Sequence, residues 1–131
     1  SGDIDMLVKM DDKKTFTQFI KHLKQVNYIT EELAKGQKKF MGLGKLHDIN
    51  RRIDIMYTTP EEYPFAILYF TGSKEHNQKM REKALTYDYT MNEYGITYVN
   101  DSDGELDDKV FVDEKDIFEF LEMEYVKPCE R

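Results

Sequence analysis

The stretch Asp3-Ile4-Asp5-Met6-Leu7-Val8, residues 3–8, places two aspartates at the start of a short apolar run. β-Branched and apolar residues followed by the turn-forming pair Asp11-Asp12 are typical of a β-strand. Because side chains alternate along a strand, Asp3 and Asp5 should point from one face with their carboxylates several ångströms apart. Two neighbouring anions favour a cation between them, so the start of this strand is a candidate metal site.

A third carboxylate, Asp54, lies in a second predicted strand, between Ile53 and Ile55. If the two isoleucines point into the core, Asp54 shares the polar face with Arg52. Three carboxylates would converge if the two strands were neighbours. The residues alone leave an alternative open, because Asp-x-Asp is common at turns and solvated edges and a neighbouring arginine can simply neutralise Asp54.

The ligand type predicts which metal such a site would take. Three carboxylates suit Mg²⁺, with Mn²⁺ as its substitute, and two such ions can hold the attacking and leaving oxygens of a phosphoryl transfer. Zinc is not indicated, because Cys129 is the only cysteine and the three histidines, His22, His47 and His76, show no ligand spacing. We expect these histidines to be surface or structural residues.

The composition predicts a folded, intracellular protein with no membrane segment. Hydrophobic residues make up 40% of the 131 residues, which is enough to offset the entropy of ordering the chain. One cysteine fits a reducing compartment, and no apolar run approaches the roughly 20 residues of a membrane span. The net charge of −7 argues against nucleic-acid binding. Lysines gather at residues 35–39 and 74–83 and could form a basic face in spite of the net negative charge. Such clusters are usually solvated surface, however.

The first half of the chain predicts a sheet backed by one helix. Thr15 and Gln18 form a capping-box pattern before apolar residues at helical spacing. After this helix we predict an irregular turn over residues 30–35. Two strands, residues 39–43 and 51–57, should then pair as a hairpin through a short connection.

The second half predicts helices around a small β element, so we place a domain boundary between residues 1–59 and 60–131. The first two elements are a helix capped by Thr59 with Pro60 at its first position, and a helix capped by Ser73 with Met80 and Leu85 in the core. The remaining elements are a weak strand over 94–99, a turn over 100–104, a strand over 110–112, and a helix capped by Asp113 with Ile117, Phe118 and Leu121 buried.

Several motifs in order resemble the palm and thumb of family X DNA polymerases, and most of all the polymerase beta type. The motifs are Ser1-Gly2-Asp3-Ile4-Asp5, Arg51-Arg52-Ile53-Asp54-Ile55, Leu68-Tyr69-Phe70-Thr71-Gly72-Ser73, Asn77 to Arg81, Asn92-Glu93-Tyr94, Glu114 to Phe118 and Tyr125 to Pro128. They cover essentially the whole chain. The implied fold is α+β: part of a mixed nucleotidyltransferase palm sheet with a helix behind it, then a mainly helical thumb with a small β element.

The resemblance also implies roles for single residues. Asp3, Asp5 and Asp54 would hold two Mg²⁺ ions, Asp54 would orient or deprotonate the primer 3′-hydroxyl, and Arg52 would steady Asp54 and the primer end. The implied nucleotide-binding residues are Gly2, Tyr69, Phe70, Gly72, Lys74 and Asn77. The implied DNA-binding residues are Lys39, Arg52, Arg81, Asn92, Glu93 and Tyr94. From the pattern alone, Tyr69 and Phe70 would be ordinary core residues before a glycine cap.

The function implied is DNA-templated addition of deoxynucleotides at a primer 3′-hydroxyl, filling short gaps in base excision repair. The partners implied are gapped or primer-template DNA and a deoxynucleoside triphosphate, and the protein would be a nuclear monomer. Two alternatives stay open: a template-independent terminal transferase and a non-catalytic DNA-binding module. Relatives often carry arginine where Met56 stands and lysine where Gln78 stands. The family's triphosphate-holding turn would precede Ser1, so we expect this chain alone to be inactive.

Overall fold

The computed structural model describes residues 3–99 and 110–131. The chain divides into two compact units, Ser1–Pro60 and Glu61–Arg131. Within the described part, none of the helices combines the length and apolar character that crossing a membrane requires.

The first unit is a four-stranded mixed sheet with one helix. Its elements are β1 (Ile4–Lys9), α1 (Lys13–Gln25), β2 (Ile29–Lys35), β3 (Lys39–Leu46) and β4 (Ile49–Thr58). The strands lie in the order β1-β4-β3-β2. β1 runs parallel to β4, whereas β3 runs antiparallel to both of its neighbours. The first strand of the chain is therefore hydrogen-bonded to the last strand of the unit.

The core of this unit lies between one face of the sheet and α1. Phe16 and Ile20 of α1 are buried against apolar side chains of the sheet: Phe40, Ile53, Ile55 and Tyr57. The ring centroids of Phe16 and Tyr57 are 4.9 Å apart. Since successive side chains of a strand alternate, the residues between the buried ones face away from α1.

Three sequence predictions for this unit were wrong in detail. Asp12, not Thr15, caps α1, because its carboxylate accepts a hydrogen bond from the Thr15 backbone N–H at 2.8 Å. Residues 30–35 belong to β2 rather than to a turn. The hairpin strands extend further than expected and leave only His47 and Asp48 between them, both with positive φ, as a tight two-residue turn requires.

The second unit is mainly helical. Its elements are α2 (Tyr63–Thr71), α3 (Lys74–Thr86), β5 (Tyr89–Asn92), β6 (Gly95–Tyr98), α4 (Glu114–Phe120) and a final 3-10 turn, Pro128–Glu130. β5 and β6 form an antiparallel hairpin. The core of the unit contains Phe65, Leu68, Met80, Ala84, Ile117, Phe118 and Leu121. The mixed sheet and the helical unit together give the α+β architecture expected from the sequence.

Two of the three predicted helix caps of this unit are confirmed, and the cap by Thr59 is wrong. Ser73 caps α3 and Asp113 caps α4 through a capping box, as expected. However, α2 begins at Tyr63 with Pro64 in its first turn, not at Pro60. Leu85 is 54% exposed, and the core position is taken by Ala84.

Two further predictions concern the secondary structure of residues 100–112. The turn over residues 100–104 lies outside the described residues. Val110 and Val112 are 75% and 77% exposed, and the described residues 110–112 form no strand.

Arg131 is buried at the end of the second unit. Its side chain is fully covered, pairs with Glu114 and donates from Nε to the Val126 carbonyl at 2.8 Å. Its guanidinium also lies 5.3 Å from the Phe118 ring and 5.6 Å from the Tyr125 ring. The paired charge and two aromatic faces hold the last residues of the chain against α4.

Candidate active site

Asp5 and Asp54 are opposite each other in the first unit. They are register partners in the parallel strands β1 and β4. Ile53 and Ile55 are buried on the side of α1, which forces Asp54 onto the other face of the sheet. Residues paired across neighbouring strands share a face, so the sheet sets both carboxylates side by side on the face turned away from α1, here called the open face.

Arg52 lies on the same face, two residues before Asp54. Its Nε donates to Asp54 Oδ1 at 3.1 Å. The side chains of Arg52 and Asp54 are 40% and 37% exposed, so the ion pair is accessible to solvent. A half-exposed ion pair adds little to stability, typically under about 1 kcal/mol, but it does restrict where the carboxylate points.

Asp3 is exposed and comes directly before β1. Gly2 lies outside the described residues. In the part of the chain that the structure describes, no three Asp, Glu, His or Cys side chains lie close enough together to hold a metal ion. The sheet therefore brings Asp5 and Asp54 to one position and leaves Asp3 beside them.

All three residues fit a divalent metal in ligand type, and Asp5 and Asp54 also fit it in placement. All three are carboxylates, the hard oxygen ligands that Mg²⁺ and Mn²⁺ prefer. The backbone pairing of β1 with β4 places Asp5 and Asp54 beside each other. Flexible, solvent-exposed carboxylates can close on a cation with little rearrangement of the backbone.

Lys39 is exposed at the first position of β3 and is paired with Met56. Met56 is two residues beyond Asp54 on β4. At the usual rise of about 3.3 Å per residue, the Lys39 register is therefore some 7 Å along the sheet from Asp54. Its charge lies on the same face of the sheet as the carboxylates.

The two units carry opposite net charges. Residues 1–60 contain 11 Lys and Arg against 8 Asp and Glu, a net charge of +3, whereas residues 61–131 contain 8 against 18, a net charge of −10. The acidity that argued against nucleic-acid binding thus belongs to the second unit. The unit with the candidate carboxylates is positive in spite of them.

The second unit gathers four of the predicted residues. Asn77 on α3 donates from Nδ2 to the Tyr69 carbonyl at 3.2 Å. Arg81, one turn further along α3, places its guanidinium carbon 5.7 Å from the Tyr69 ring and pairs with Glu93 at 3.7 Å. An amide NH₂ has two N–H donors, and this bond uses one of them. The arrangement presents an amide, a guanidinium and a phenol ring on one surface.

The junction of α2 and α3 holds the remaining nucleotide-binding candidates. Tyr69 and Phe70 are 41% and 39% exposed at the end of α2, which contradicts the expectation from pattern alone that they lie in the core. Gly72 ends α2 with φ at 72°, a conformation that favours glycine, and Lys74 is exposed at the start of α3. Their roles toward a nucleotide stay predictions.

The motif Asn92-Glu93-Tyr94 forms the turn between β5 and β6. Asn92 Oδ1 accepts hydrogen bonds from the backbone N–H groups of Tyr94 at 2.8 Å and Gly95 at 3.1 Å. Asn92 therefore shapes the turn that carries Glu93 to Arg81, and Tyr94 is 43% exposed. The DNA-binding roles predicted for these residues remain untested by this geometry.

A small pocket opens beside these residues. It is lined by Phe65, Leu68, Tyr69, Asn77, Arg81, Met91 and Asn92. Sequence reasoning missed its apolar floor, because Phe65, Leu68 and Met91 are indistinguishable from other core residues by spacing alone. It also missed Met41, which contacts Arg52 in the first unit.

Known proteins match both units. The DNA polymerase beta palm family matches residues 1–60, and the DNA polymerase beta thumb family matches residues 66–131. DNA polymerase lambda of Rattus norvegicus is 30% identical over 99% of this chain and 26% of its own length. DNA polymerase/3'-5' exonuclease PolX of Bacillus subtilis is 25% identical over 96% of this chain and 21% of its own length.

A solved structure matches the fold as well. The polymerase beta of Leishmania infantum, described as a ternary P/T complex, is 29% identical with a TM-score of 0.79, covering 98% of this chain and 60% of that one. The chain spans about a quarter of the length of these curated relatives. With its palm carboxylates on a mixed sheet and its helical second unit, the chain belongs to the family X DNA polymerases, of which it represents the palm and thumb.

Proposed function

We propose that the protein containing this chain is a DNA-directed DNA polymerase that fills short gaps in base excision repair. The observation that carries the proposal is the pairing of Asp5 with Asp54 on the open face of the palm sheet, with Arg52 bonded to Asp54. Carboxylates fixed by strand register, beside an arginine that orients one of them, are what positioning for phosphoryl transfer requires.

In this proposal Asp3, Asp5 and Asp54 hold two Mg²⁺ ions. When bound, the ions would supply Lewis-acid stabilisation of the charge on the reacting phosphate and hydroxyl oxygens. Asp54 orients the primer 3′-hydroxyl or takes its proton, and the Arg52 bond to Oδ1 sets the direction of that carboxylate. The positive charge of the palm unit favours the approach of DNA phosphates.

The thumb residues select the nucleotide in the same proposal. Tyr69, Phe70 and Gly72 lie beside the sugar of the incoming deoxynucleotide, and Lys74 near its base. Asn77 offers its second N–H to the minor-groove edge of the base, where every correct pair presents an acceptor. Arg81 contacts the template strand. Tyr69, Asn77 and Arg81 line the same small pocket, which supports a shared binding role for them.

The tight turn between β3 and β4 supports templated synthesis over terminal transfer. Only His47 and Asp48 separate the two strands, and the exposed Tyr69-Phe70 pair resembles the templated members of the family. The proposed partners are gapped or primer-template DNA and a deoxynucleoside triphosphate, with the protein acting as a nuclear monomer.

Primer extension by the full-length protein tests this function. We expect extension only when a template strand is present, with Mg²⁺ or Mn²⁺ in the buffer. Asp5→Asn and Asp54→Asn should each lower the rate by roughly 100-fold or more, because each removes a charged ligand without changing the side-chain volume. Asp48→Asn, the same chemical change in the β3–β4 turn, is the matched control and should leave the rate unchanged.

Two results would favour the alternatives. Equal extension with and without template would indicate a terminal transferase. Extension that is absent in the unmodified protein, with DNA binding retained, would indicate a non-catalytic DNA-binding module.

A further inference from the structure

Arg52 gives two donors of its guanidinium to two different partners. Nε donates to Asp54 Oδ1 at 3.1 Å, and Nη2 donates to the thioether sulfur of Met41 at 3.8 Å. An arginine beside a carboxylate often donates two parallel N–H bonds, one to each oxygen. In this structure the second donor is directed to sulfur instead, so the ion pair with Asp54 engages Oδ1 alone.

The sheet explains why Met41 takes this place. Met41 is the register partner of Asp54 on β3, as Asp5 is on β1, so the three residues form one row across three adjacent strands. Residues in such a row share a face of the sheet. Arg52 lies two residues before Asp54 on β4, and its side chain reaches both Asp54 and Met41.

The two possible contacts of Nη2, with the Met41 sulfur or with the Asp54 carboxylate, differ little in free energy. A thioether is a weak acceptor, but the ion pair is half-exposed and screened by solvent, so a second N–H bond to the carboxylate would also gain little. Met41 is half-buried and therefore keeps a defined position beside the guanidinium. A weak contact with a fixed neighbour can thus decide which donors Asp54 receives.

We propose that Met41 is a positioning residue of the palm site. By accepting one Nη2–H of Arg52, it holds the guanidinium in the orientation in which Asp54 is bonded through Oδ1, and Oδ2 is left available to a divalent cation. The inference rests on the proposed function, because it is there that the second oxygen has a ligand. Met41 touches no substrate in this account and acts only through Arg52.

Two substitutions separate the sulfur from the bulk of the side chain. Met41→Leu removes the acceptor and keeps most of the volume, whereas Met41→Ala removes both. Met10→Leu is the matched control, because Met10 is also half-buried in the first unit but lies beyond the end of β1. A thermal melt of each variant confirms that it is folded.

The first readout is the Arg52 Nε–H resonance in NMR spectra of this chain without any metal. The resonance is identified by its absence from the spectrum of Arg52→Lys. We expect the resonance to shift in Met41→Leu, and further in Met41→Ala, as the second donor turns to Asp54. The second readout is the dissociation constant of Mn²⁺ from its paramagnetic broadening of nearby amides. It should rise by roughly two- to ten-fold in Met41→Leu, more in Met41→Ala, and not in Met10→Leu.

An Arg52 resonance that is the same in wild type, Met41→Leu and Met41→Ala would overturn the proposal. So would a shifted resonance with unchanged Mn²⁺ affinity. Failure of the proposed function looks different: wild type and Asp54→Asn would bind Mn²⁺ equally, whatever the Arg52 resonance does.

Discussion

Arg81 of α3 and Glu93 of the β5–β6 turn form an ion pair at 3.7 Å, with the Arg81 guanidinium over the ring of Tyr69. The arginine proposed to contact the template is therefore already engaged within the thumb. DNA must compete with Glu93 for this charge. The pair is partly exposed, so the cost of separating it is small, typically below about 1 kcal/mol.

Replacing Arg81 by alanine in the full-length protein should slow correct insertion more than incorrect insertion. An interaction that forms only with a correct pair in place stabilises the transition state, and losing one charge-assisted hydrogen bond should cost roughly 1–3 kcal/mol. Single-turnover insertion of matched and mismatched nucleotides measures this. Lys79→Ala, which removes a positive charge from the same helix, is the control. Unchanged discrimination, or a large drop in melting temperature, would assign Arg81 to structure.

Replacing Glu93 by glutamine should strengthen DNA binding by the full-length protein. Without its anionic partner, Arg81 is available to a phosphate or a base, and the gain should be about two- to five-fold at low salt. Glu82→Gln, which lowers the negative charge by the same amount on α3, is the comparison. The prediction fails if both variants gain equally, since that would be a general charge effect.

His76 should make the second unit less stable as the pH falls. Among the described residues its buried ring nitrogens have no hydrogen-bond partner, and its ring lies 5.7 Å from that of Phe118. Burial, with smaller contributions from the charges of Arg131 and Lys79, lowers the pKa of His76 below its usual range. The unfolded chain then takes up a proton near pH 6.5 that the folded chain resists, so stability present above that pH is lost as the pH falls toward the lowered pKa.

The test is a comparison of thermal melts of wild type and His76→Phe between pH 8 and pH 5. The variant keeps an aromatic ring against Phe118 and should lose less stability over this range. His22→Phe, an exposed site on α1, should behave as wild type does. Parallel pH profiles of wild type and His76→Phe would show that His76 does not titrate in this way.

Gly44 should tolerate no side chain. A Cβ at this position would lie 1.9 Å from Ile53 Cδ1 and 2.6 Å from the Tyr28 carbonyl oxygen. Gly44→Ala must displace a core side chain and backbone, at a cost of roughly 1–3 kcal/mol. At Gly36 the nearest atom to a Cβ is 4.0 Å away, so Gly36→Ala is the control. Urea unfolding curves of the two variants measure the difference, and equal midpoints would contradict the packing described.

The sequence predicts the fold best where buried and exposed residues alternate at the spacing of a strand or a helix. Asp54 could be assigned to the open face because Ile53 and Ile55 must both be buried, and the row with Asp5 follows if β1 and β4 are neighbours. β2 was missed because Glu31 and Glu32 follow each other on an edge strand that packs little, so no alternation marks it. The preference of Leu85 for the core was overridden by the rotation of α3, which places Ala84 there.

The contacts around the candidate site could not be predicted from the sequence, for a different reason. The bond from Arg52 to Met41 depends on the antiparallel register of β3 and β4, which the tight turn sets, and on a sulfur acceptor that no motif marks. The partner of Arg81 depends on a turn that Asn92 builds by accepting two backbone N–H bonds. Such contacts follow from register and turn geometry, which local sequence patterns do not determine.

A Mn²⁺ titration of this chain, followed by NMR, determines whether Asp3, Asp5 and Asp54 form one divalent-metal site. In wild type, amide signals around Asp3, Asp5 and Asp54 should broaden together at low Mn²⁺, because a paramagnetic ion acts on nearby nuclei. In Asp54→Ala the broadening around Asp3 and Asp5 should need a clearly higher Mn²⁺ concentration. Identical titrations for wild type and Asp54→Ala, or no response near Asp3 and Asp5 in either, would contradict the shared site.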